Sequence, residues 1–118
     1  MKVMVIDDST MVRSMVGRAL KASGYEVVEA SDGKDGLTKL AANDDLRLIV
    51  CDVNMPNMSG IEFLEAAHGR GSKVPVVMLT TEGQAELIEK AKSLGARGWI
   101  VKPFKPDMLL DMTRAFLT

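Results

Sequence analysis

Short apolar runs alternate with helix-like patterns along this chain, and the alternation constrains the fold more than any other feature of the sequence. Three uninterrupted runs occupy Val3–Ile6, Leu48–Cys51 and Val76–Leu79. Such runs are typical of strands buried on both faces, as in parallel sheets that are covered by helices. Weaker versions of the same signal at Val27–Val28 and Gly98–Val101 bring the predicted strands to five.

Helix-like patterns fill the spaces between the predicted strands. In each pattern the apolar residues recur every three or four positions, which places their side chains on one face of a helix. The patterned residues are Met11, Val12, Met15, Val16, Ala19 and Leu20; Leu37, Leu40 and Ala41; Ile61, Leu64 and Ala67; Leu87, Ile88, Ala91 and Leu94; and Leu109, Met112 and Phe116. The sequence therefore predicts one helix after each strand.

Capping residues mark the ends of several of these helices. Ser59 and Glu62 have the spacing of a capping box, so the third helix is predicted to open at Ser59. Gly24 and Gly95 follow the first and fourth patterns, where glycine commonly ends a helix. Pro106 suits the first turn of the last helix.

The helical spacing also suggests a role for the many methionines of the chain, of which there are nine. Met11, Met15, Met108 and Met112 recur at core-facing intervals, and a flexible thioether side chain fills irregular space well. We therefore predict that these four residues pack in the core.

The strand–helix alternation predicts an α/β domain with a parallel sheet and right-handed crossover connections. A length of 118 residues fits one domain, expected over residues 1–118. No apolar run approaches the roughly 20 residues that cross a bilayer. The formal charge of −1 does not suggest nucleic-acid binding, and the single cysteine, Cys51, fits a reducing compartment. We expect a cytoplasmic protein without membrane insertion or nucleic-acid binding.

Polar residues follow the predicted strands at the positions where each strand ends. Asp7 and Asp8 follow the first strand, and Asp52 follows the third. Thr80 ends the fourth strand, and Lys102 comes directly after the fifth. Because ligands of open α/β sheets bind beyond the carboxyl ends of the strands, we expect these five side chains to converge on one site.

Taken singly, each of these residues has a simpler explanation. Asp8 or Ser9 alone would be a helix cap, and Lys102 alone would be a solvated surface residue. As a set, however, three crowded carboxylates are unfavourable unless a cation neutralises them. Mg²⁺ takes oxygen ligands in octahedral geometry, usually carboxylates, waters and a substrate phosphate. The set therefore predicts a Mg²⁺ site that also receives a phosphate group.

Four segments in this order carry a resemblance to a known family. They are Asp7-Asp8-Ser9, the D-x-x-M-P-x-M-x-G stretch over residues 52–60, Thr80, and Lys102-Pro103-Phe104. Together they resemble the receiver domain of two-component response regulators, over essentially the whole chain. The resemblance implies a flavodoxin-like fold, a doubly wound parallel sheet of five strands in the order 2-1-3-4-5 with five helices.

Within that family the chain looks most like the stand-alone chemotaxis regulators of the CheY type. Asn54 and Glu82 match that subgroup, and no output domain follows in the sequence. The resemblance implies that Asp52 accepts a phosphoryl group from a phosphohistidine on a sensor histidine kinase or phosphotransfer protein. It also implies that Asp7, Asp8, Asp52 and the backbone carbonyl of Asn54 hold Mg²⁺.

The remaining implied roles concern catalysis and the switch. Thr80 would donate its hydroxyl to one phosphoryl oxygen, and Lys102 would pair with another. The Lys102–Pro103 peptide would be cis. A switch would couple Thr80 to the aromatic residue three positions before the lysine, which is Trp99 here, where tyrosine or phenylalanine is more common. A tryptophan that simply packs half-exposed on an end strand explains that residue equally well.

The implied output is altered binding of a downstream target, such as a flagellar motor switch protein. The domain would catalyse only its own phosphorylation and dephosphorylation, so we do not expect an enzyme that turns over a separate substrate. A receiver acting in another phosphorelay is one alternative, and a Mg²⁺-dependent phosphohydrolase with an aspartate nucleophile is another. Many such hydrolases carry a second aspartate two residues after the first, where this chain has Asn54. An FMN-binding flavodoxin is a poor alternative, because Asp7 and Asp8 would repel the FMN phosphate.

Overall fold

The computed structural model describes residues 1–81 and 85–117 and contains ten regular elements. The strands are β1 (Lys2–Ile6), β2 (Glu26–Ala30), β3 (Leu46–Asp52), β4 (Val76–Thr80) and β5 (Ala96–Val101). The helices are α1 (Thr10–Ala22), α2 (Gly33–Ala42), α3 (Gly60–Gly69), α4 (Ala85–Ser93) and α5 (Pro106–Leu117). Strands and helices alternate strictly, which confirms the predicted succession of elements. Glu82, used above to assign the subgroup, lies outside the described residues.

All strand pairs are parallel, and the sheet order is β2-β1-β3-β4-β5. This order confirms the doubly wound, flavodoxin-like topology with five strands and five helices. The carboxyl ends of all five strands lie at one edge of the sheet, because the strands are parallel. Residues that follow β1, β3, β4 and β5 are thereby brought close together.

Both faces of the sheet are buried, which explains the unbroken apolar runs. Successive side chains of a strand point to opposite faces. One face packs with α2, α3 and α4, and its buried residues include Met4, Ile6, Leu37, Ile49, Cys51, Phe63, Leu64, Met78 and Ala91. The other face packs with α1 and α5, and its buried residues include Val3, Val5, Val16, Leu20, Leu48, Val50, Val77, Leu79, Leu109 and Leu117.

The predicted helix ends are confirmed where capping geometry can be read. Ser59 is the N-cap of α3, and the reciprocal bonds of a capping box join it to Glu62. Gly24 and Gly95 follow α1 and α4 with φ angles of 92° and 100°. Because an L-side chain is strained at such angles, glycine is the residue that ends these helices at least cost.

The prediction that four helical methionines face the core is wrong for three of them. Met11, Met15 and Met108 are 82%, 38% and 57% exposed, whereas Met112 is partly buried. In α1 two sets of apolar residues recur every four positions. One set contains Met11 and Met15, and the other, one position later, contains Val12 and Val16. Only the second stripe, which includes Val16, turns toward the sheet. Helical spacing fixed the relative positions of the side chains but not which stripe packs.

The helices in the described ranges are short. The longest of them, α1, has 13 residues. A helix that crosses a bilayer needs about 20 largely apolar residues. Within residues 1–81 and 85–117, therefore, no helix is long and apolar enough to span a membrane.

Candidate magnesium and phosphoryl site

Three carboxylates from two neighbouring strands meet at the carboxyl edge of the sheet. Asp7 and Asp8 follow β1, and Asp52 ends β3. Each offers one oxygen, and these oxygens all lie within 4.8 Å of one another. Asp7 and Asp52 are buried, whereas Asp8 is exposed to solvent. The predicted convergence of the three carboxylates is thus present, with one side of the group open to water.

Lys102 completes the group from the end of β5. Its Nζ lies 3.0 Å from Asp7 Oδ2 and 3.2 Å from Asp52 Oδ1. Burial lowers the pKa of Lys102, but the bond to Asp7 and the charges of both carboxylates outweigh it, so the pKa is raised. The ammonium is therefore firmly charged. The Lys102–Pro103 peptide is cis, as the resemblance implies.

The Asp52 carboxyl is harder to ionise than an ordinary aspartate. Burial, followed by the charge of Asp7, raises the pKa of Asp52 to about 6, although Lys102 opposes the rise. A backbone hydrogen bond from Asn54 also favours the charged form. A buried anion with one lysine and a second carboxylate beside it is well placed to gain from a divalent cation.

The loop after β3 depends on a glycine for its close approach to Asp52. Gly60 donates its N–H to the carbonyl of Val53 at 2.9 Å. A Cβ built on Gly60 would lie 2.2 Å from the Asp52 carbonyl oxygen, a clash with backbone that cannot yield. The glycine of the D-x-x-M-P-x-M-x-G stretch is therefore a packing requirement. Asn54 lies exposed on this loop, and the role of its carbonyl as a metal ligand stays a prediction.

Thr80 and Trp99 lie on the two strands at the opposite side of the site. Thr80 ends β4, is fully buried, and accepts the backbone N–H of Lys102 at its carbonyl, 2.6 Å away. Trp99 lies in the middle of β5 beside Met78 of β4 and packs partly buried against the α2–α3–α4 core. Its indole N–H is buried and has no hydrogen-bond partner among residues 1–81 and 85–117. The placement fits both interpretations of Trp99, a packed residue and a switch residue.

Comparison with known proteins places these residues in a family. A family model described as a response regulator receiver domain matches residues 3–114. The chain belongs to the response regulator receiver domain family. The match includes every residue of the acidic group and Lys102.

Individual relatives agree with this assignment. The receiver domain is 39% identical over 121 residues to the chemotaxis protein CheY1 of Helicobacter pylori strain J99, covering 99% of this chain and 97% of that protein. It is 37% identical over 115 residues to a chemotaxis protein CheY homolog of Campylobacter jejuni, covering 94% of this chain and 88% of that protein. The solved structure of Vibrio cholerae chemotaxis protein CheY4 superposes with a TM-score of 0.92 at 41% identity, covering 98% and 97% of the two chains.

Arg13 is a residue of this receiver domain that sequence reasoning missed. Its guanidinium donates to the backbone carbonyl of Asp7 at 2.7 Å and pairs with Glu29 of β2 at 3.3 Å. The backbone N–H of Ser9 also donates to Asp7 Oδ1 at 2.9 Å. These bonds hold the β1–α1 loop from both sides. The only available signal was a lone arginine in the first turn of α1, which is unremarkable in a sequence.

The donor set of the receiver domain fits Mg²⁺. Three carboxylates supply hard oxygen ligands, and the exposed side at Asp8 leaves room for the waters that Mg²⁺ retains. No histidine and no thiol joins this group among the described residues. Cys51 points away into the core, where burial and the charges of Asp52 and Asp7 raise the pKa of its thiol.

The raised pKa of Asp52 predicts that ionisation of this carboxyl lowers the free energy of unfolding of the receiver domain. Below about pH 4 the carboxyl is protonated in both folded and unfolded chains, so it contributes nothing to the pH dependence. As the pH rises to about 6, the unfolded chain loses this proton and the folded chain retains it, so folding stability falls. At higher pH the carboxyl is ionised in both states, and the loss in free energy of unfolding is constant. The difference between the folded and unfolded pKa values corresponds to a loss of about 3 kcal/mol at most.

We therefore expect Asp52→Asn to stabilise the metal-free protein at pH 7 by up to about 3 kcal/mol. The gain should disappear below about pH 4, where the wild-type carboxyl is protonated in both states. Urea unfolding of both proteins in EDTA across this pH range measures the difference. A variant that is less stable than the wild type at pH 7 would contradict the electrostatic description of the site.

Proposed function

We propose that this receiver domain accepts a phosphoryl group on Asp52 from a phosphohistidine, in a Mg²⁺-dependent reaction, and thereby changes its binding to a partner. The observation that carries the proposal is the group formed by Asp7, Asp8 and Asp52, with the Lys102 ammonium 3.0 Å from Asp7 and 3.2 Å from Asp52. Such a group suits phosphoryl transfer, in which catalysis consists mainly of positioning and charge neutralisation.

In the transfer step, the Asp52 carboxylate attacks the phosphorus atom of the phosphohistidine. One Asp52 oxygen forms a bond to phosphorus as the bond from phosphorus to the donor imidazole nitrogen breaks, and the electron pair of that bond remains on the nitrogen. At pH 7 a pKa of about 6 leaves most of the Asp52 carboxyl ionised and able to attack. Mg²⁺, when bound, would neutralise charge that accumulates on the phosphoryl oxygens. Asp7 and Asp8 would hold the ion, with the Asn54 carbonyl as a further ligand.

Lys102 and Thr80 would hold the transferred group. Lys102 now pairs with two carboxylates, so we propose that its ammonium turns from Asp52 to a phosphoryl oxygen once the Asp52 charge is consumed in the new bond. The Thr80 hydroxyl would donate to a second phosphoryl oxygen. Attack of water on phosphorus would release phosphate and return Asp52 to a carboxylate. The domain would thus catalyse its own phosphorylation and dephosphorylation and act on no other substrate.

Movement of Thr80 toward the phosphoryl group offers a route for the signal. A phosphoryl group adds about −1.5 to −2 charge and three acceptor oxygens, enough to bias an element that has two packings. Trp99 lies on the strand beside β4, and its buried indole N–H has no partner among the described residues, which makes its present packing costly. We propose that the Trp99 ring repacks when Thr80 moves, which changes the surface that a target binds.

We further propose that the pathway is chemotaxis, in the cytoplasm. The proposal is supported by the names of the two relatives described above, which are chemotaxis proteins of the CheY type and match this chain over 97% and 88% of their own length. A sensor histidine kinase or its phosphotransfer protein would be the donor. A flagellar motor switch protein is the downstream target that best fits this pathway.

An apolar surface beside the site is suited to docking of the phosphodonor. Met15, Phe104 and Val12 line an open cavity of about 430 Å³ together with Lys102 and Thr81. A donor seated there would hold its phosphohistidine close to Asp52, which Lys102 contacts directly. Methionine side chains adapt to different partners, which suits the exposed Met15 to such a contact.

Met15→Glu is therefore expected to slow phosphotransfer from the cognate autophosphorylated kinase or phosphotransfer protein by at least about tenfold, because it places a charge in an apolar contact. Phosphorylation by the small donor phosphoramidate should stay within about twofold of the wild type, since no docking is required. Met108→Glu, on an exposed methionine of α5 that does not line the cavity, is the matched control. Equal losses with both donors would contradict the docking assignment.

The function as a whole is tested by incubating the domain with Mg²⁺ and phosphoramidate while following Trp99 fluorescence and intact mass. We expect saturable incorporation of one phosphoryl group with a parallel fluorescence change, and neither effect in EDTA. Absence of incorporation would contradict the proposal. Rapid steady hydrolysis of phosphomonoesters would instead favour the aspartate-nucleophile phosphohydrolase.

A further inference from the structure

A basic cleft lies at the end of the sheet opposite Asp52. It is a cavity of about 200 Å³ between the α3–β4 and α4–β5 connections. Its apolar lining consists of Leu64, Ala67, Val74, Pro75, Val76 and Leu94, and its basic residues are His68, Lys73 and Arg97. Val76 opens β4, whereas Thr80 closes it at the phosphoryl site. The parallel sheet therefore separates the basic cleft from that site by the length of a strand, about 13 Å.

Two basic residues of the cleft have no charged partner in the part of the chain that the structure describes. Lys73 and Arg97 are exposed and form no ion pair within residues 1–81 and 85–117, and no acidic residue lines the cavity. Glu65, three residues before His68 on α3, pairs with Lys90 at 3.2 Å. A chain of net charge −1 thus concentrates unneutralised positive charge around one apolar depression. Clustered unpaired charge of one sign attracts and orients an oppositely charged partner.

The size and lining of the basic cleft limit what it can hold. Pockets for drug-sized ligands are about 300–1,000 Å³, and this one is smaller and open to solvent on one side. Apolar carbon from α3 and from the start of β4 lines it beside the polar side chains of Ser72 and the three basic residues. The space fits one inserted apolar side chain, surrounded by cations that pair with flanking carboxylates.

The surface continues beyond the cleft in a way that suits an extended peptide. Ser72, Lys73 and Val74 also line a second cavity of about 330 Å³, whose lining includes Arg70 and a single acid, Asp44. A peptide crossing from one cavity to the other would pass Lys73 in the middle. It would meet Arg97 at one end and Arg70 at the other.

We infer that the basic cleft binds an acidic peptide segment of a partner protein, which inserts one large apolar side chain between Lys73 and Arg97. Aspartate and glutamate residues on either side of that anchor pair with the rim. The inference does not rest on the proposed phosphoryl chemistry, because the cleft shares no residue with that site. It gives the domain a second binding surface, on the side facing away from Asp52.

The probes for this inference are short, blocked peptides in which one leucine or phenylalanine is flanked by aspartate and glutamate. Amide chemical shifts of the full chain, followed during titration with each peptide, report both affinity and location. We expect saturable shifts at the residues that line the basic cleft. Peptides with glycine in place of the anchor, or with asparagine and glutamine in place of the acids, should bind at least about tenfold more weakly.

A charge-matched pair of variants locates the binding. Lys73→Gln with Arg97→Gln is expected to weaken the peptide at least about tenfold, whereas Lys21→Gln with Lys34→Gln, on exposed helix positions, should stay within about twofold. Thermal melts establish that both variants fold. Failure of every peptide of the panel to give saturable shifts would overturn the inference, as would equal binding of the glycine peptides or equal effects of the two variants. Shifts at the cleft caused by phosphatidylserine vesicles but by none of the peptides would assign it to an anionic lipid surface instead and overturn it also.

Discussion

Asp52→Asn is expected to abolish covalent phosphorylation of this domain by any donor. The amide that replaces the carboxylate carries no charge and cannot form a stable acyl phosphate, so no other group of the site substitutes for it. Asp7 is buried and bound to Lys102, Ser9 and, through its carbonyl, Arg13. Incorporation from phosphoramidate in Mg²⁺, followed by intact mass, should fall below detection, and wild-type incorporation should be removed by hydroxylamine.

A matched control separates loss of the acceptor from a general change of charge. Asp44→Asn removes an exposed carboxylate far from the site and should leave incorporation within about twofold of the wild type. Asp52→Asn is also expected to be more stable than the wild type at pH 7. Loss of phosphorylation then cannot be attributed to unfolding. Normal, hydroxylamine-labile labelling of Asp52→Asn would refute the assignment of the acceptor.

Lys102→Met is expected to change metal binding and phosphorylation in opposite directions. The ammonium lies 3.0 Å from Asp7 and 3.2 Å from Asp52, so it neutralises the carboxylates that Mg²⁺ would bind and also repels the ion. Its removal should tighten Mg²⁺ binding by about tenfold. The phosphoryl group would lose its fixed positive partner, and phosphorylation should slow by about 10²–10³-fold.

Calorimetric titration with Mg²⁺ and initial rates with phosphoramidate measure the two effects on the same protein. Lys105→Met, three residues further along the chain and exposed, is the matched control for charge and side-chain volume. It should alter neither quantity by more than about twofold. Weaker Mg²⁺ binding in Lys102→Met would mean that the lysine supports the metal site indirectly and does not compete with the ion.

Much of the fold was predictable because its determinants are local. Parallel strands buried on both faces must be apolar throughout, and this made β1, β3 and β4 visible as unbroken runs. Helix ends were equally predictable, because the capping box at Ser59 and the positive φ at Gly24 depend only on residues close by in the sequence. The sheet order is not local, and it came from the resemblance.

The carboxylates of the site were also predictable, for a topological reason. Once the strands are parallel, residues at their carboxyl ends share one edge, and the order β1-β3-β4-β5 allows Asp7, Asp52 and Lys102 to meet there. The distances that set the pKa of Asp52 could not be predicted, because they depend on side-chain packing across three strands. Arg13 was missed for the same reason, as its partners are a backbone carbonyl and a residue of β2.

The exposed methionines show where sequence patterns stop being informative. Met11 and Met15 satisfy the same spacing rule as Val12 and Val16, and the rule cannot tell which stripe the sheet covers. The stripe that contains Val12 and Val16 packs against the sheet, and the two methionines lie at the surface. Met15 is exposed in the cavity that Lys102 also lines, and this suggests a docking role, so the failed prediction points to a functional surface.

The most direct test of the account is the position of a divalent ion in crystals of the domain grown with Mn²⁺, which replaces Mg²⁺ and scatters anomalously. We predict one strong anomalous peak bound by carboxylate oxygens of Asp7, Asp8 and Asp52. The Lys102 ammonium should then lie further from Asp52 than its present 3.2 Å. A saturating Mn²⁺ concentration that leaves this position empty, with the ion bound elsewhere, would contradict the claim that these carboxylates form a metal-dependent phosphoryl site.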